Sequence, residues 1–271
     1  MIVTESESSD GLVDGSNRLW FESLSSIKGQ SLRLFCFPYA GGSAHVFRNW
    51  QRPFLPYVGL CLVHLPGRGT RIAERPFTRL KLLVQNVADV IMREPQRPYV
   101  LYGHSLGALI SFELTRELRY RRFIPPMWLF LSGCGAPNIP SREAPIFDLP
   151  EETFIAEVRK FNGTPQEMFD DQELRKIFVP VLRADCEMVG TYEYDPQEPL
   201  SCPITLYGGL HDQHVSINNL RAWKEHTSAS CTVRMFPGDH FFINNVDVGF
   251  VDALRGDVLN ALHCRLRRLT W

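Results

Sequence analysis

The sequence predicts an α/β domain built on a mostly parallel, doubly wound sheet with a helical insertion. Three observations predict it. Six short apolar runs alternate with helical patterns along the 271 residues, the order expected of parallel strands joined by crossover helices. The pentapeptide Gly103-His104-Ser105-Leu106-Gly107 lies between an apolar run, Tyr99-Val100-Leu101-Tyr102, and a helical one, Ala108 through Leu118. An acid and a histidine, Asp212 and His240, follow in that order, each just beyond a further apolar run.

Taken in order, strands are expected at 32–37, 58–64, 98–103, 127–132, 203–208 and 231–236, and helices at 79–93, 106–120, 217–226 and 247–267. In the last helix Phe250, Val251, Leu254, Val258, Leu262 and Leu266 recur at helical spacing, which marks a face turned to the core. The stretch 140–197 is too long for an ordinary crossover between two strands. There Leu149-Pro150-Glu151-Glu152 opens a helix that continues to Lys160, Asp170 or Asp171 caps a second, and Pro180 starts a third that runs to about Thr191. Such an insertion would cover the sheet edge as a lid, excluding water and shaping a channel beneath it. Most of its apolar residues, among them Phe154, Ile155, Val158, Phe161, Phe169 and Phe178, are expected to pack the lid onto the core, and its acids Asp185, Glu187 and Glu193 to face solvent. Residues 1–17, rich in Ser and acids, read as a disordered tail without a signal peptide, and 18–271 as one domain with the lid at about 140–197.

Composition narrows the classes. The chain is 44% hydrophobic and carries 29 basic against 30 acidic residues, enough for a sizeable core and too balanced to point to nucleic acid or an anionic membrane. The basic clusters at Arg119–Arg122 and at Arg265, Arg267 and Arg268 fall at helix ends, where positive charge suits the helix dipole. Seven cysteines are scattered with no Cys-x-x-Cys pair, and Cys36, Cys61, Cys134 and Cys231 lie in or beside apolar runs. They read as reduced thiols, which implies a cytoplasmic protein without a disulfide framework or a zinc site. No stretch is apolar and long enough to span a bilayer, and no coiled-coil pattern appears, so a monomer is expected.

Gly-x-Ser-x-Gly between a strand and a helix is the nucleophile elbow of α/β-hydrolases, in which a sharp turn presents the serine hydroxyl at the sheet's carboxyl edge. That fold needs Ser, then Asp or Glu, then His along the chain. Ile204-Thr205-Leu206-Tyr207-Gly208-Gly209 is a strand ending in a turn, with Asp212 on the loop beyond it. Thr232-Val233-Arg234-Met235-Phe236 is the next strand, and His240 lies on the loop after Pro237-Gly238-Asp239. Ser105 is therefore the candidate nucleophile, His240 the base and then acid, and Asp212 the group that holds the imidazole tautomer. The oxyanion needs two backbone donors. One is the N–H of Leu106, which follows the serine. The other comes from the loop Phe37-Pro38-Tyr39-Ala40-Gly41-Gly42-Ser43, where Pro38 cannot donate and Ala40 is the choice, with Tyr39 second. His104 is read as structural, His211 and His214 as surface groups rather than a metal pair, and Asp239 as pointing away from its neighbour His240. No cofactor and no metal are expected.

These residues resemble the type II thioesterases of polyketide and nonribosomal-peptide assembly lines, from about Trp20 onward. The resemblance rests on Leu34-Phe35-Cys36-Phe37-Pro38-Tyr39-Ala40-Gly41-Gly42, His64-Leu65-Pro66-Gly67-Arg68-Gly69-Thr70-Arg71 and Tyr102-Gly103-His104-Ser105-Leu106-Gly107-Ala108. It continues in Phe161-Asn162-Gly163-Thr164-Pro165 and Leu182-Arg183-Ala184-Asp185 of the insertion, Gly208-Gly209-Leu210-His211-Asp212, and Gly238-Asp239-His240-Phe241-Phe242. It implies an α/β-hydrolase fold and a stand-alone hydrolase that removes aberrant or stalled acyl groups from the phosphopantetheine arm of acyl or peptidyl carrier proteins. Its triad and oxyanion positions fall on Ser105, Asp212, His240, Leu106 and Ala40. Leu106 stands where Met is common in the family, which leaves the backbone N–H unaltered. The related medium-chain hydrolase of animal fatty-acid synthesis shares much of the pattern, so release of a fatty or polyketide product is an alternative, as is acyl transfer by the same triad. A lipase-like ester hydrolase and a catalytically silent docking protein are further rivals; the insertion motifs argue against the first and the complete triad against the second.

Overall fold

A computed structural model describes residues 19–24, 30–140, 144–245 and 249–269. The tail expected at 1–17 lies outside these residues. Among the described residues seven strands form one sheet: β1 (Phe21–Ser23), β2 (Leu32–Phe37), β3 (Val58–Val63), β4 (Tyr99–His104), β5 (Leu129–Ser132), β6 (Ile204–Gly209) and β7 (Cys231–Phe236), in the spatial order β1-β3-β2-β4-β5-β6-β7. Every pairing from β3 through β7 is parallel. Only β1 runs antiparallel, against β3. The six expected strands are all present, with ends shifted by a residue or two. β1 is the addition; three residues are too few to show an alternating pattern.

Strands β2 through β6 are buried at every position, so they read as unbroken apolar runs rather than alternating ones. Helices cover both faces. On one face Leu83, Val87 and Ile91 of the helix Leu80–Arg93, with Leu109 and Phe112 of the helix Leu106–Tyr120, share a core with Phe35, Leu101 and Leu131 of the sheet. On the other, Phe47 and Trp50 of a 3-10 segment and Phe250, Leu254 and Val258 of the helix Phe250–Leu269 pack on Leu34, Tyr102 and Phe130. Adjacent residues of one strand thus enter opposite cores, as the period of two requires. The expected helix at 217–226 divides into an α-helix, Ile217–Arg221, and a 3-10 segment, Ala222–His226.

The order β3-β2-β4 has a consequence for function. The chain builds outward from β2 to β3, then returns to place β4 on the other side of β2. The loops leaving β2 and β4 therefore diverge, and the crevice between them is where open parallel sheets bind ligands.

The insertion between β5 and β6 contains a helix Glu151–Arg159, a single turn Glu167–Asp170, and a helix Gln172–Gly190. Asp171 caps the last, its side chain accepting from the N–H groups of Glu173 (2.8 Å) and Leu174 (3.0 Å). The division expected at Pro180 is absent: Pro180 lies inside one continuous helix. A proline there removes an internal hydrogen bond, at a cost of about 3 kcal/mol. Burial of Val179, Val181, Leu182, Ala184 and Met188 on the same helix offsets it.

Candidate active site

Ser105 caps β4 and begins the helix Leu106–Tyr120 with φ 53° and ψ −116°. Such a conformation costs a non-glycine residue about 1–3 kcal/mol and persists only where its surroundings enforce it. They do so here through the backbone. The Ser105 N–H donates to the Ser132 carbonyl at 2.8 Å, and the Ser105 carbonyl accepts from the Ala108 N–H at 2.9 Å. The flanking glycines are there for contact distance. A Cβ at Gly103 would fall 2.0 Å from the Gly107 carbonyl oxygen, and one at Gly107 would fall 2.1 Å from that of Phe37. The second contact also draws the loop after β2 against the start of the helix. Ala40 on that loop and Leu106 at the helix N-terminus, where an N–H has no intrahelical acceptor, thereby come to the same edge as Ser105.

His240 and Asp212 meet as the spacing requires. His240 Nδ1 lies 2.8 Å from Asp212 Oδ2, with the imidazole 7% exposed and the carboxyl fully buried. The other oxygen, Oδ1, accepts from the N–H groups of His214 (2.8 Å) and Val215 (3.0 Å). Burial pushes the Asp212 carboxyl up, but the His240 hydrogen bond and charge and the two backbone donors together carry it below the usual carboxylate value. An ionised Asp212 can only accept, so Nδ1 carries the proton and Nε2 is left as the base. Asp239, the neighbouring acid, is exposed and spends its carboxylate on the Phe241 N–H at 2.9 Å, within its own turn.

His104 is fully buried. Its Nδ1 lies 2.8 Å from Ser132 Oγ, which in turn lies 2.7 Å from the Tyr102 hydroxyl. Burial first, then the charge of His240 at 5.2 Å between ring centres, hold its pKa well below 6.5, so it is neutral. His211 is exposed, but His214 is not the surface group expected. It stacks flat on Phe161 of the insertion, with 4.0 Å between ring centres and 14° between planes, and its ring centre lies 5.8 Å from that of His240. Among the described residues no group of His, Cys, Asp or Glu is arranged to hold a metal ion, and no helix is long and apolar enough to cross a membrane.

The largest departure from the sequence reading is Asp185. It is not solvated but wholly buried. Arg68, itself 8% exposed, forks onto it: Nη2 donates to Oδ1 at 2.8 Å and Nη1 to Oδ2. The Gly41 N–H also donates to Oδ2, at 2.7 Å. Glu187, likewise expected in solvent, is partly buried and paired with Arg79. Arg68 and Asp185 stand in two of the motifs quoted above, so the signal was a shared pattern; nothing in the spacing alone joined them.

The sequence matches the thioesterase domain family over residues 32–256. It is 44% identical over 224 residues to the gramicidin S biosynthesis protein GrsT of Aneurinibacillus migulanus, covering 83% of this chain and 88% of that one. Among solved structures it is similar to the type II thioesterase BorB from the borrelidin biosynthetic cluster (TM-score 0.80, 31% identity, 90% of this chain and 98% of that one). It is also similar to YbtT, a type II thioesterase from the yersiniabactin NRPS/PKS pathway (TM-score 0.79, 31% identity, 89% and 99%).

Proposed function

This chain belongs to the thioesterase family, and from that premise we propose that it is a stand-alone serine hydrolase of acyl-S-phosphopantetheine thioesters. Its substrates are acyl or peptidyl carrier proteins of a polyketide or nonribosomal-peptide assembly line, from which it clears aberrant or stalled acyl groups. The observation that carries the reading is the Asp212–His240 pair at 2.8 Å, at the same sheet edge as a serine held at φ 53°. YbtT is named for an NRPS/PKS pathway, BorB for the borrelidin biosynthetic cluster and GrsT for gramicidin S biosynthesis, which supports the choice of substrate.

In this reading Ser105 Oγ attacks the thioester carbonyl carbon while His240 Nε2 takes its proton. The N–H groups of Ala40 and Leu106 hold the oxyanion. The C–S bond breaks and the proton passes from His240 to the departing thiolate sulfur. Water, deprotonated by His240, then attacks the acyl-serine ester, and the free acid leaves with Ser105 restored. Asp212 stays ionised throughout and stabilises the imidazolium. The insertion serves as the lid, no cofactor takes part, and the enzyme works as a cytoplasmic monomer.

The test is release of acyl groups from a phosphopantetheinylated carrier protein loaded with acetyl, propionyl and longer chains. Free acid that appears with the wild type and vanishes with Ser105→Ala supports the reading. No release from any carrier, or release undiminished by the substitution, overturns it. An amide or ester product in place of the acid moves the assignment to acyl transfer.

A further inference from the structure

The turn after β2 and the helix Gln172–Gly190 are joined by a buried polar contact. The Gly42 N–H donates to the Tyr39 carbonyl at 2.9 Å, and Gly41, third residue of that turn, has φ +73°. These are the marks of a type II turn, which places glycine third. Types I and II differ by a flip of the central peptide, here Ala40–Gly41. In the type II form the N–H of that peptide points out of the turn and needs an acceptor of its own. Asp185 Oδ2 is that acceptor, at 2.7 Å. Arg68 holds the carboxylate by both oxygens and also reaches the Gly42 carbonyl at 3.4 Å, so it grips the far end of the same turn. Leu182, on the same helix as Asp185, and Ala40 belong to one apolar cluster, and a Cβ at Gly41 would lie 3.0 Å from both Leu182 and Phe178.

We propose that Asp185 is a positioning residue for the oxyanion donor: by holding the Gly41 N–H it pins the Tyr39–Gly42 turn, and with it the Ala40 N–H that the turn carries, at the sheet edge, with Arg68 holding the carboxylate in place. The inference rests on the serine-thioesterase reading, which puts Ala40 in the oxyanion hole. A buried ion pair is a weak means of stabilising a fold, because desolvation cancels most of its attraction. Its use here is to anchor the turn. It also makes the insertion and the oxyanion turn one unit: the helix Gln172–Gly190 cannot leave the sheet edge without releasing the Gly41 N–H.

Two variants separate positioning from packing. Asp185→Asn can keep its amide oxygen at the Oδ2 place, on Gly41 and one Arg68 nitrogen; its NH2 then faces the other Arg68 nitrogen, donor against donor, so the second arm of the fork is lost. Asp185→Leu combined with Arg68→Met removes both charges at similar volume, an exchange that is often neutral or stabilising for the fold, but leaves the Gly41 N–H without its acceptor. The expected thermal order is double variant at or above Asp185→Asn. The expected order of kcat is the reverse. The double variant should lose about 10–100-fold in kcat, somewhat less than the loss of a whole oxyanion donor, with KM within about twofold. Asp185→Asn should stay within about fivefold of wild type, a modest fraction of that effect. Affinity for an acyl trifluoromethyl ketone, whose serine adduct carries an oxyanion, should fall with kcat.

A double variant with wild-type kcat, or one in which kcat loss simply follows the folded fraction, overturns the inference and leaves the thioesterase reading standing. A wild type that releases no acyl group from any carrier overturns both.

Discussion

The elbow around Ser105 and the insertion above it are held by different means. At the elbow the constraint is backbone on backbone: the Ser105 N–H on the Ser132 carbonyl, and glycines at 103 and 107 where a Cβ would strike a carbonyl oxygen. In the insertion the constraint is side-chain contact: the apolar cluster of Phe154, Ile155, Val158, Phe169, Val179 and Leu182, the Phe161–His214 stack, and Asp185 on Arg68 and Gly41. The first kind does not slide by small steps, whereas the second can be released a contact at a time. The serine turn is thus built into the sheet, and the insertion is tied to that edge by contacts that can be lost separately.

Four changes would sharpen or break that contrast. The largest effect belongs to Asp212→Asn, which presents the wrong partner to His240 Nδ1. It should lower kcat by about 10⁴-fold with little change in melting temperature, as steady-state kinetics beside a thermal melt would show. Next is Gly103→Ala. Its methyl group meets backbone at 2.0 Å, and the loss should exceed about 4 kcal/mol in urea titration, the range of severe core defects. Phe154→Ala should cost about 3–5 kcal/mol if the insertion unfolded only with the rest. The contrast instead predicts that hydrogen exchange quickens over 151–190 first, while the amides of β4 keep their protection.

The smallest effect is one of pH. His104 and Asp212 both have folded-state pKa values below their ordinary ones. Below those ordinary values the unfolded chain binds protons that the folded one refuses, so stability is full at neutral pH and falls as pH drops, for His104 from about 6.5 downward. Each such proton contributes at most about 1.4 kcal/mol per pH unit. His104→Gln should flatten the fall between pH 6.5 and 5, where histidine rather than carboxylate titrates; an unchanged slope would show that His104 is protonated in the fold.

The same contrast explains what could be read from the sequence. The elbow, both loops that carry Asp212 and His240, and six of the strands follow from local pattern: an apolar run, a turn and a residue just past it. The structure bears out those strands to within a residue or two. Asp171 as a cap was legible because capping is local. Pro180 misled, because local rules end a helix there and tertiary burial carries it on. Asp185 misled for the same reason: an acid on an amphipathic helix is ordinarily solvated, and its partner Arg68 is far off in the chain. His214 and Phe161 likewise meet only in three dimensions.

The central claim is that one serine, Ser105, does the chemistry on acyl thioesters, and titration with a fluorophosphonate tests it most directly. The protein is labelled to increasing extents, the label is mapped by peptide mass, and acyl release from a loaded carrier is measured on each sample. The account predicts that label accumulates on Ser105 alone and that release falls in proportion, reaching zero at one label per chain. Release that persists when Ser105 is fully labelled, or label that stops release from another residue, would contradict it.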